Sequence, residues 1–231
     1  MINVYCGKAP EWLSDAFLSE GVKLNGIGTC DALQAPVQGH IDMMALMTPD
    51  MKNVFVSKQT EDLVKPHVSA SIKVIASDLS AKYPGDVLLN AVLTDKYLIC
   101  NKKYVAPELL EYALMNRVEV INVKQGYAKC STVVLPDNVF ITEDESIYDA
   151  LSAKGLDVLK IEKGHVSLPG YSYGFIGGAS AYFNDTLYFF GNIEKHPSFK
   201  AIEAFLTSHN INWTQLSDKE QLIDIGGIIK L

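Results

Sequence analysis

The feature that most constrains the fold is a unit that occurs four times along the chain. Each copy has two short apolar strands joined by a tight polar turn, then an amphipathic helix and a third strand. The turn aspartates recur roughly every 45 residues, a spacing typical of repeated supersecondary units. They are Asp50, Asp95, Asp137 and Asp185. Because aspartate and asparagine side chains bond back to the local backbone, these turns predict four antiparallel hairpins.

A helix and a closing strand follow each predicted hairpin. Pro107 and Pro197 stand where helices begin, and Asn116, Gly155 and Asn210 stand where helices end. The predicted helices span residues 61–71, 107–115, 147–154 and 198–209. The predicted closing strands span residues 72–75, 118–123, 157–161 and 211–216. Each copy is therefore a ββαβ unit.

The two ends of the chain supply the parts of a fifth unit. Residues 222–229 predict its first strand, and residues 2–5, 11–19 and 22–24 predict a second strand, a helix and a third strand. Pairing the two ends closes a ring and leaves no exposed sheet edge. We expect one domain over residues 1–231, of the α/β (α+β) class. It is predicted to be a five-bladed propeller of ββαβ units with pseudo-fivefold symmetry.

Composition and charge argue against several classes of function. The chain is 48% hydrophobic, as in ordinary globular proteins, but it has a net charge of −7 and no basic run. Nucleic acid is therefore not an expected partner. No apolar run reaches the roughly 18 residues of a membrane span, and the N-terminal residues lack the pattern of a signal peptide. We expect a cytoplasmic protein that does not bind membranes.

The four cysteines are far apart and form no CxxC pair. This spacing predicts neither a zinc site nor a disulfide framework. The histidines other than His40 have no metal-ligand spacing, so no metal and no cofactor is expected.

Polar residues are predicted to meet at the starts of the first strands. When the units are superposed by strand pattern, these starts converge on a central pore, where polar groups among apolar strands suit a small polar ligand. The residues concerned are His40, Asp42, Asn90, Lys129, Cys130, Ser131, Ser180 and Asp224.

Cys130 and His40 are the candidate catalytic residues. Cys130 stands at the start of a β-branched strand beside Lys129, whose charge favours a thiolate, and His40-Ile41-Asp42 places two polar side chains on one face of a strand. The alternatives are a buried cysteine that acts as a small apolar residue and a histidine that simply pairs with an acid. The other six residues are candidate ligand contacts. Asp42 and Asp224 suit a guanidinium or ammonium group, although Asp224 is equally suited to closing the ring of strands.

A ring of five ββαβ units resembles the pentein fold of guanidino-modifying enzymes such as arginine deiminases, dimethylarginine hydrolases, agmatine deiminases and amidinotransferases. Four segments are similar to an uncharacterised family of that fold. They are Gly-His-Ile-Asp at 39–42, Gln-Gly-Tyr-Ala-Lys-Cys-Ser at 125–131, Gly-Phe-Ile-Gly-Gly-Ala-Ser at 174–180 and Asp-Ile-Gly-Gly-Ile-Ile at 224–229. The resemblance implies a ligand with a guanidine group. The fold also occurs in a non-enzymatic ribosome anti-association factor, so it does not choose a function.

The sequence departs from those enzymes at two motifs. Their nucleophilic cysteine follows a glycine-rich segment near the C-terminus, but here Ile228, Ile229 and Lys230 occupy the expected places. Their Glu-Gly-Gly-Asp substrate clamp corresponds to residues 176–179 (Ile-Gly-Gly-Ala), which keep only the glycines. Two functions follow as hypotheses. One is a hydrolase of non-peptide C–N bonds in a small guanidino or amidino compound, and the alternative is a non-catalytic small-molecule-binding or protein-interaction protein. The sequence leaves the oligomeric state open.

Overall fold

The computed structural model describes residues 1–231 and contains fourteen strands and six α-helices. The strands are β1 (Ile2–Cys6), β2 (Val22–Gly26), β3 (Ala45–Met47), β4 (Asn53–Val56), β5 (Ser71–Val74), β6 (Val92–Leu93), β7 (Tyr97–Cys100), β8 (Glu119–Asn122), β9 (Thr132–Leu135), β10 (Val139–Thr142), β11 (Val158–Lys160), β12 (Ser180–Phe183), β13 (Thr186–Phe189) and β14 (Asn212–Gln215). The helices are α1 (Glu11–Ser19), α2 (Ile41–Met44), α3 (Glu61–Val64), α4 (Pro107–Met115), α5 (Glu145–Ala153) and α6 (Phe199–Ser208).

Four three-stranded sheets have the same connectivity. Their orders are β3-β4-β5, β6-β7-β8, β9-β10-β11 and β12-β13-β14. In each sheet the first two strands are antiparallel, the second and third are parallel, and a helix lies between those two in the sequence. The four ββαβ units that the repeat predicts are therefore present, and the fold is mixed α/β.

The hairpin turns use the predicted side-chain chemistry. Asp50 Oδ1 accepts hydrogen bonds from Thr48 Oγ1 at 2.6 Å and from the backbone N–H of Lys52 at 3.1 Å. Asn184 and Asp185 have φ values of 52° and 58°, which asparagine and aspartate adopt more readily than most residues. This two-residue turn joins β12 to β13.

The ends of the chain meet, but not in the form that the sequence predicts. β1 and β2 form a two-stranded parallel sheet around α1. Residues 222–229 are not a continuous strand, because Gly226 and Gly227 have φ values of 76° and 67°, outside the extended region. Only Ile229 pairs with β1, through two backbone hydrogen bonds to Tyr5 of 2.8 and 2.9 Å.

Two further local predictions are wrong. The helix predicted over residues 61–71 ends at Val64 and continues as one 3₁₀ turn to His67, because Pro66 has no N–H and cannot continue the α-helix. His40 and Asp42 do not lie on a strand: His40 is the N-cap of the short helix α2, and Asp42 is in its first turn.

Apolar side chains between the sheets and helices form the core. The largest buried cluster includes Ile141 of β10, Leu187 of β13, and Ile202 and Leu206 of α6, so it joins two neighbouring units. All four cysteines are free and buried. None of the helices combines the length and the apolar character that crossing a membrane requires.

Candidate active site

Five buried polar side chains from different parts of the chain meet between the units. His40 and Asp42 come from the start of α2, Cys130 from the turn before β9, and Asn90 from the segment before β6. Asp224 comes from the C-terminal segment that pairs with β1. None is more than 6% exposed. The sequence therefore identified residues that do come together.

The Cys130 thiol lies in a polar network. Its Sγ donates to Asp42 Oδ2 at 2.9 Å and accepts from Asn90 Nδ2 at 3.0 Å. One ligand atom from each of His40, Asp42 and Cys130 lies within 4.8 Å of the other two. A buried cysteine that acted only as an apolar residue would have no such partners.

Asn90 holds this network together. Its Oδ1 accepts the backbone N–H groups of Lys129 at 2.9 Å and Cys130 at 3.2 Å, and its Nδ2 lies 3.4 Å from the carbonyl oxygen of Asp42. The side chain of Asn90 thus contacts both the backbone that carries the thiol and the backbone of its hydrogen-bond acceptor, Asp42. The geometry gives Asn90 a positioning role.

His40 faces the carboxylate of Asp224. His40 Nδ1 is 3.7 Å from Asp224 Oδ1, is buried, and has no hydrogen-bond partner. Asp224 is held by the backbone N–H groups of Phe175 and Gly226, each at 2.9 Å. The unpaired imidazole nitrogen and the fixed carboxylate leave room for a polar ligand between them and Cys130.

Two glycines make this approach possible. A Cβ at Gly178 would stand 1.9 Å from Asp224 Oδ1, and a Cβ at Gly226 would stand 2.3 Å from the Cβ of His40. Residues 176–179 lack the acids of the enzyme motif, but Gly178, which has no Cβ, leaves room for the carboxylate of Asp224, and the backbone N–H of the preceding Phe175 binds that carboxylate. Both glycines therefore permit a close approach between the backbone and a side chain of the site.

Burial sets the proton affinity of the thiol and its partner. Desolvation raises the pKa of Asp42 to about 6, although the charges of His40 and Lys129 oppose this rise. Desolvation, followed by the charges of Asp42 and Asp224, raises the pKa of Cys130 well above its ordinary value. The expectation that Lys129 favours the thiolate is therefore wrong, because the pKa of Cys130 is raised instead of lowered. The neighbouring charges that act most strongly on the thiol are negative.

A cavity of about 200 Å³ opens above Cys130, and we call it the aromatic cavity. His40, Cys130 and Asp224 line its polar side. Its aromatic side is formed by Tyr127, Tyr171, Tyr173 and Phe175. It is smaller than most drug-binding pockets, which suits a ligand of few atoms.

A second cavity of about 170 Å³, the lysine cavity, shares no lining residue with the first. Asp42 and Lys129 line it together with Ile228 and Ile229. The hydrogen bond from Cys130 to Asp42 therefore runs between residues that line different cavities. Ile228 and Ile229, which occupy the usual nucleophile positions, face the lysine cavity and bring no chemistry to it.

The remaining predicted residues lie away from the aromatic cavity. Lys129 and Ser180 line a 600 Å³ groove that shares Lys129 with the lysine cavity, and Ser180 Oγ donates to the carbonyl oxygen of Ile176 at 2.8 Å. Ser131 is fully buried, and its Oγ has no hydrogen-bond partner. Ligand contact by Lys129, Ser131 and Ser180 stays a prediction.

The same three ligand atoms of His40, Asp42 and Cys130 are close enough to hold a metal ion. A neutral imidazole, a carboxylate and a thiolate are donors that Zn²⁺ accepts. The thiol would first have to lose its proton, which its raised pKa opposes. Sequence reasoning expected no metal because it considered spacing along the chain instead of distance in space.

Several residues of the site were not predicted. Tyr127 donates to Asp86 Oδ2 at 2.7 Å, and Glu143 accepts the backbone N–H of Ile176 at 3.2 Å. The loop over the cavity contains Tyr171, Tyr173 and Phe175. Three aromatic residues between closely spaced glycines were a usable signal for that loop. Gly85-Asp86 is indistinguishable from an ordinary turn in sequence, so Asp86 gave no signal.

Solved structures with the same fold are guanidino-modifying enzymes of the pentein class. A dimethylarginine dimethylaminohydrolase with an S-methyl-L-thiocitrulline adduct has a TM-score of 0.59 and 10% identity, covering 94% of this chain and 92% of that one. The DDAH from Pseudomonas aeruginosa, complexed with citrulline, has a TM-score of 0.60 and 8% identity, covering 98% and 96%. The agmatine deiminase from C. jejuni has a TM-score of 0.51 and 10% identity, covering 94% and 75%. The chain therefore has the pentein fold.

The sequence itself places the chain more narrowly. Residues 7–229 match the model of the family of unknown function DUF6873, and the chain belongs to that family. No curated protein matches its sequence.

Proposed function

We propose that this protein is a hydrolase that cleaves a non-peptide C–N bond of a small guanidino or amidino compound in the aromatic cavity. The observation that carries the proposal is the meeting of Cys130, His40 and Asp42 within 4.8 Å, with Cys130 and His40 lining that cavity. Structures of the same fold that are named as guanidino hydrolases support it. Their low identity to this chain leaves the substrate to be argued from the site itself.

Binding of a cation prepares the thiol. A guanidinium has planar N–H groups that match the carboxylate of Asp224, which lines the cavity at its polar side. The positive charge of the ligand offsets the negative neighbours that raise the pKa of Cys130. The thiol proton then passes to Asp42 Oδ2, which is already its hydrogen-bond acceptor at 2.9 Å. The nucleophile therefore forms only when substrate is bound.

The reaction then proceeds in two halves. The thiolate of Cys130 adds to the guanidinium carbon, and protonated His40 gives a proton to the departing nitrogen as the C–N bond breaks. The product is an amine or ammonia and an amidino group bound to Sγ through carbon. Neutral His40 next removes a proton from water, which adds to that carbon. The C–S bond breaks, Cys130 regains a proton from Asp42, the added hydroxyl gives its proton to water, and a ureido compound leaves.

The architecture fits this role if the units surround the site. We infer that the four ββαβ units and the β1–α1–β2 unit, closed by Ile229 against Tyr5, form a five-bladed ring within a single domain. The turns before β3, β9 and β12 and the C-terminal segment then supply one side of the central channel. Each blade contributes a fixed side chain, as a site built on rigid elements requires.

A non-catalytic binding protein is the second candidate. The observation that favours it is the thiol itself, which is 2% exposed and has a raised pKa. In this case the ligand is the same cation, but Cys130 keeps its proton on binding, no proton passes to Asp42, and the ligand leaves unchanged.

The two candidates separate in an assay for ureido products with a panel of alkylguanidines. A hydrolase forms product, and His40→Ala lowers kcat by about 10²–10⁴-fold because the acid and base are lost. His165→Ala is the matched control, since His165 lies outside the cavity. Mass spectrometry of quenched reactions is expected to show the amidino group on Cys130. Binding without product from any member of the panel would establish the second candidate.

A further inference from the structure

The side chains that line the aromatic cavity include an acid but no lysine and no arginine. Asp224 is that acid, and His40 is the only lining group that can carry a positive charge. The half-buried Lys129, which is adjacent in sequence to Cys130, lines the lysine cavity and not this one. A ligand carboxylate in the aromatic cavity would find no lysine or arginine to pair with, and the imidazole of His40 already faces the carboxylate of Asp224 at 3.7 Å.

Further carboxyl groups stand directly behind the lining. Asp42 lies behind Cys130 at 2.9 Å, Asp86 lies behind the hydroxyl of Tyr127 at 2.7 Å, and Glu143 binds the backbone beside Phe175. Buried Asp42 and Asp86 each also have one oxygen without a hydrogen-bond partner. Desolvation raises the pKa of Glu143 well above its ordinary value, so the negative charge around the cavity comes mainly from Asp224, with Asp42 and Asp86 behind the lining. An anion would be repelled there, whereas a cation would be attracted.

The aromatic side adds a surface for a cationic or apolar chain. Phe175 packs against Tyr127 and Tyr173, with ring centroids 6.0 and 6.1 Å apart. Tyr171 is 42% exposed at the entrance, and its hydroxyl donates to Gln34 Oε1 at 2.9 Å. Aromatic faces attract ammonium groups and cover alkyl chains, but they offer a carboxylate nothing.

We propose that the substrates are alkylguanidines whose chain carries no carboxylate, ending instead in an amine or an uncharged group, and that Tyr171 and Tyr173 select this chain. The inference rests on the proposed hydrolase function for the location of the guanidinium group beside Asp224. It goes further by excluding α-amino acids such as arginine, whose carboxylate would lie among the aromatic residues and acids.

Agmatine (4-aminobutylguanidine) and arginine test this directly, because they differ only by the carboxylate. Isothermal titration of the wild-type protein and of Cys130→Ser is expected to give a Kd at least about 30-fold lower for agmatine. Equal affinities, tighter binding of arginine, or binding of neither compound would overturn the inference. Butylguanidine and 4-guanidinobutyrate form a second pair without the amine, and the same order is expected.

Turnover is measured separately from binding, so that a failure of the hydrolase proposal can be distinguished from a failure of the proposed ligand class. Agmatine that binds selectively but yields no ureido product would end the hydrolase proposal and leave the ligand class standing. Arginine hydrolysed more efficiently than agmatine would leave the hydrolase standing and overturn the ligand class.

A variant with an added cation gives a second test that does not depend on a loss of function. Tyr171→Arg places a guanidinium at the exposed entrance, where the fold tolerates it, and Tyr171→Gln is the uncharged control. We expect the Kd for arginine to fall about tenfold relative to that for agmatine in Tyr171→Arg but not in Tyr171→Gln. An unchanged ratio in both variants would show that Tyr171 does not select the chain.

Discussion

The aromatic cavity and the lysine cavity meet at the Cys130–Asp42 hydrogen bond, yet their chemistry is opposite. The first has Asp224, His40 and four aromatic rings, whereas the second has Lys129 and Asp42 among mainly aliphatic side chains. A cation that enters the aromatic cavity approaches the thiol from the side that has Asp224 and no lysine or arginine. In the proposed mechanism, Asp42 therefore exchanges a proton with Cys130 from the side of the lysine cavity, while the substrate contacts Cys130 from the aromatic cavity.

The largest expected effect is that of removing the thiol. Cys130→Ala should lower the rate of ureido product formation by about 10³-fold or more, because no other cysteine lines the aromatic cavity. Cys100→Ala is the matched control: this thiol is also buried, but it lies in the core of the second unit with a pKa raised to about 12. Steady-state assays of both variants decide the matter. Comparable losses in the two would mean that only packing was disturbed.

Neutralising the acid of the aromatic cavity should have the next largest effect. Asp224→Asn keeps the volume and one acceptor oxygen but removes the charge that faces the cation, so kcat/KM should fall by about 10²-fold. Asp31→Asn, at an exposed position, should leave kcat/KM unchanged. If Asp224→Asn retains wild-type kcat/KM, the guanidinium does not lie against Asp224.

Asp42, which lines the lysine cavity, should make the free energy of unfolding depend on pH. The folded-state pKa of Asp42 is about 6 against an ordinary value of 3.8, so between these values the folded state holds a proton that the unfolded state has lost. The free energy of unfolding therefore falls as pH rises through this window. Asp42→Asn removes this contribution, and the gap between wild type and variant should change by about 3 kcal/mol in favour of the variant between pH 3.5 and pH 7.

Urea denaturation across that pH range measures the prediction. The free energy of unfolding of Asp31→Asn should follow that of the wild type at a constant difference across the whole pH range. Parallel curves for Asp42→Asn as well would mean that Asp42 ionises normally in the folded protein, and its role as a proton acceptor for Cys130 would then lose its basis.

The smallest effect is expected on the side of the lysine cavity. Lys129→Met should change kcat/KM for an alkylguanidine by less than about threefold, since Lys129 influences the site only through its charge on Asp42. The same steady-state assay measures it. A loss of tenfold or more would show that Lys129 contacts substrate, as its position before Cys130 suggested, and would end the distinction between the two cavities.

The repeat in the sequence predicted much of the fold because its signals are local. Asp50 binds its own turn, and Asn184-Asp185 adopts left-handed φ values, so each hairpin is determined within a few residues. The prediction of a first strand in the fifth unit was wrong because the signal that prevents this strand is not local. Residues 222–229 are mostly apolar, but Gly226 must turn to let His40 approach, a requirement set by residues far away in the sequence.

The sequence could predict the site residues that lie at the boundaries of the repeated units. It could not predict those that join the site only through contacts between units. His40, Asp42, Asn90, Cys130 and Asp224 all precede or replace a first strand, so the repeat brings them together. His40 and Asp42 lie together at the start of a short helix, although the sequence predicted that they share one face of a strand. Asp86 and Glu143 act through Tyr127 and the backbone of Ile176, and such partners depend on distances that no local pattern encodes.

The pairing of Ile229 with Tyr5 also sets the order in which the site is completed during synthesis. Strand β1 leaves the ribosome early, and the segment that carries Asp224 and pairs with it leaves only after all four ββαβ units. Until then the nascent chain holds Cys130 and Asp42 but has no acceptor for a cation opposite His40. The cation site that we propose is therefore complete only after the segment with Asp224 has paired with β1, so formation of the site depends on a contact between two distant parts of the chain.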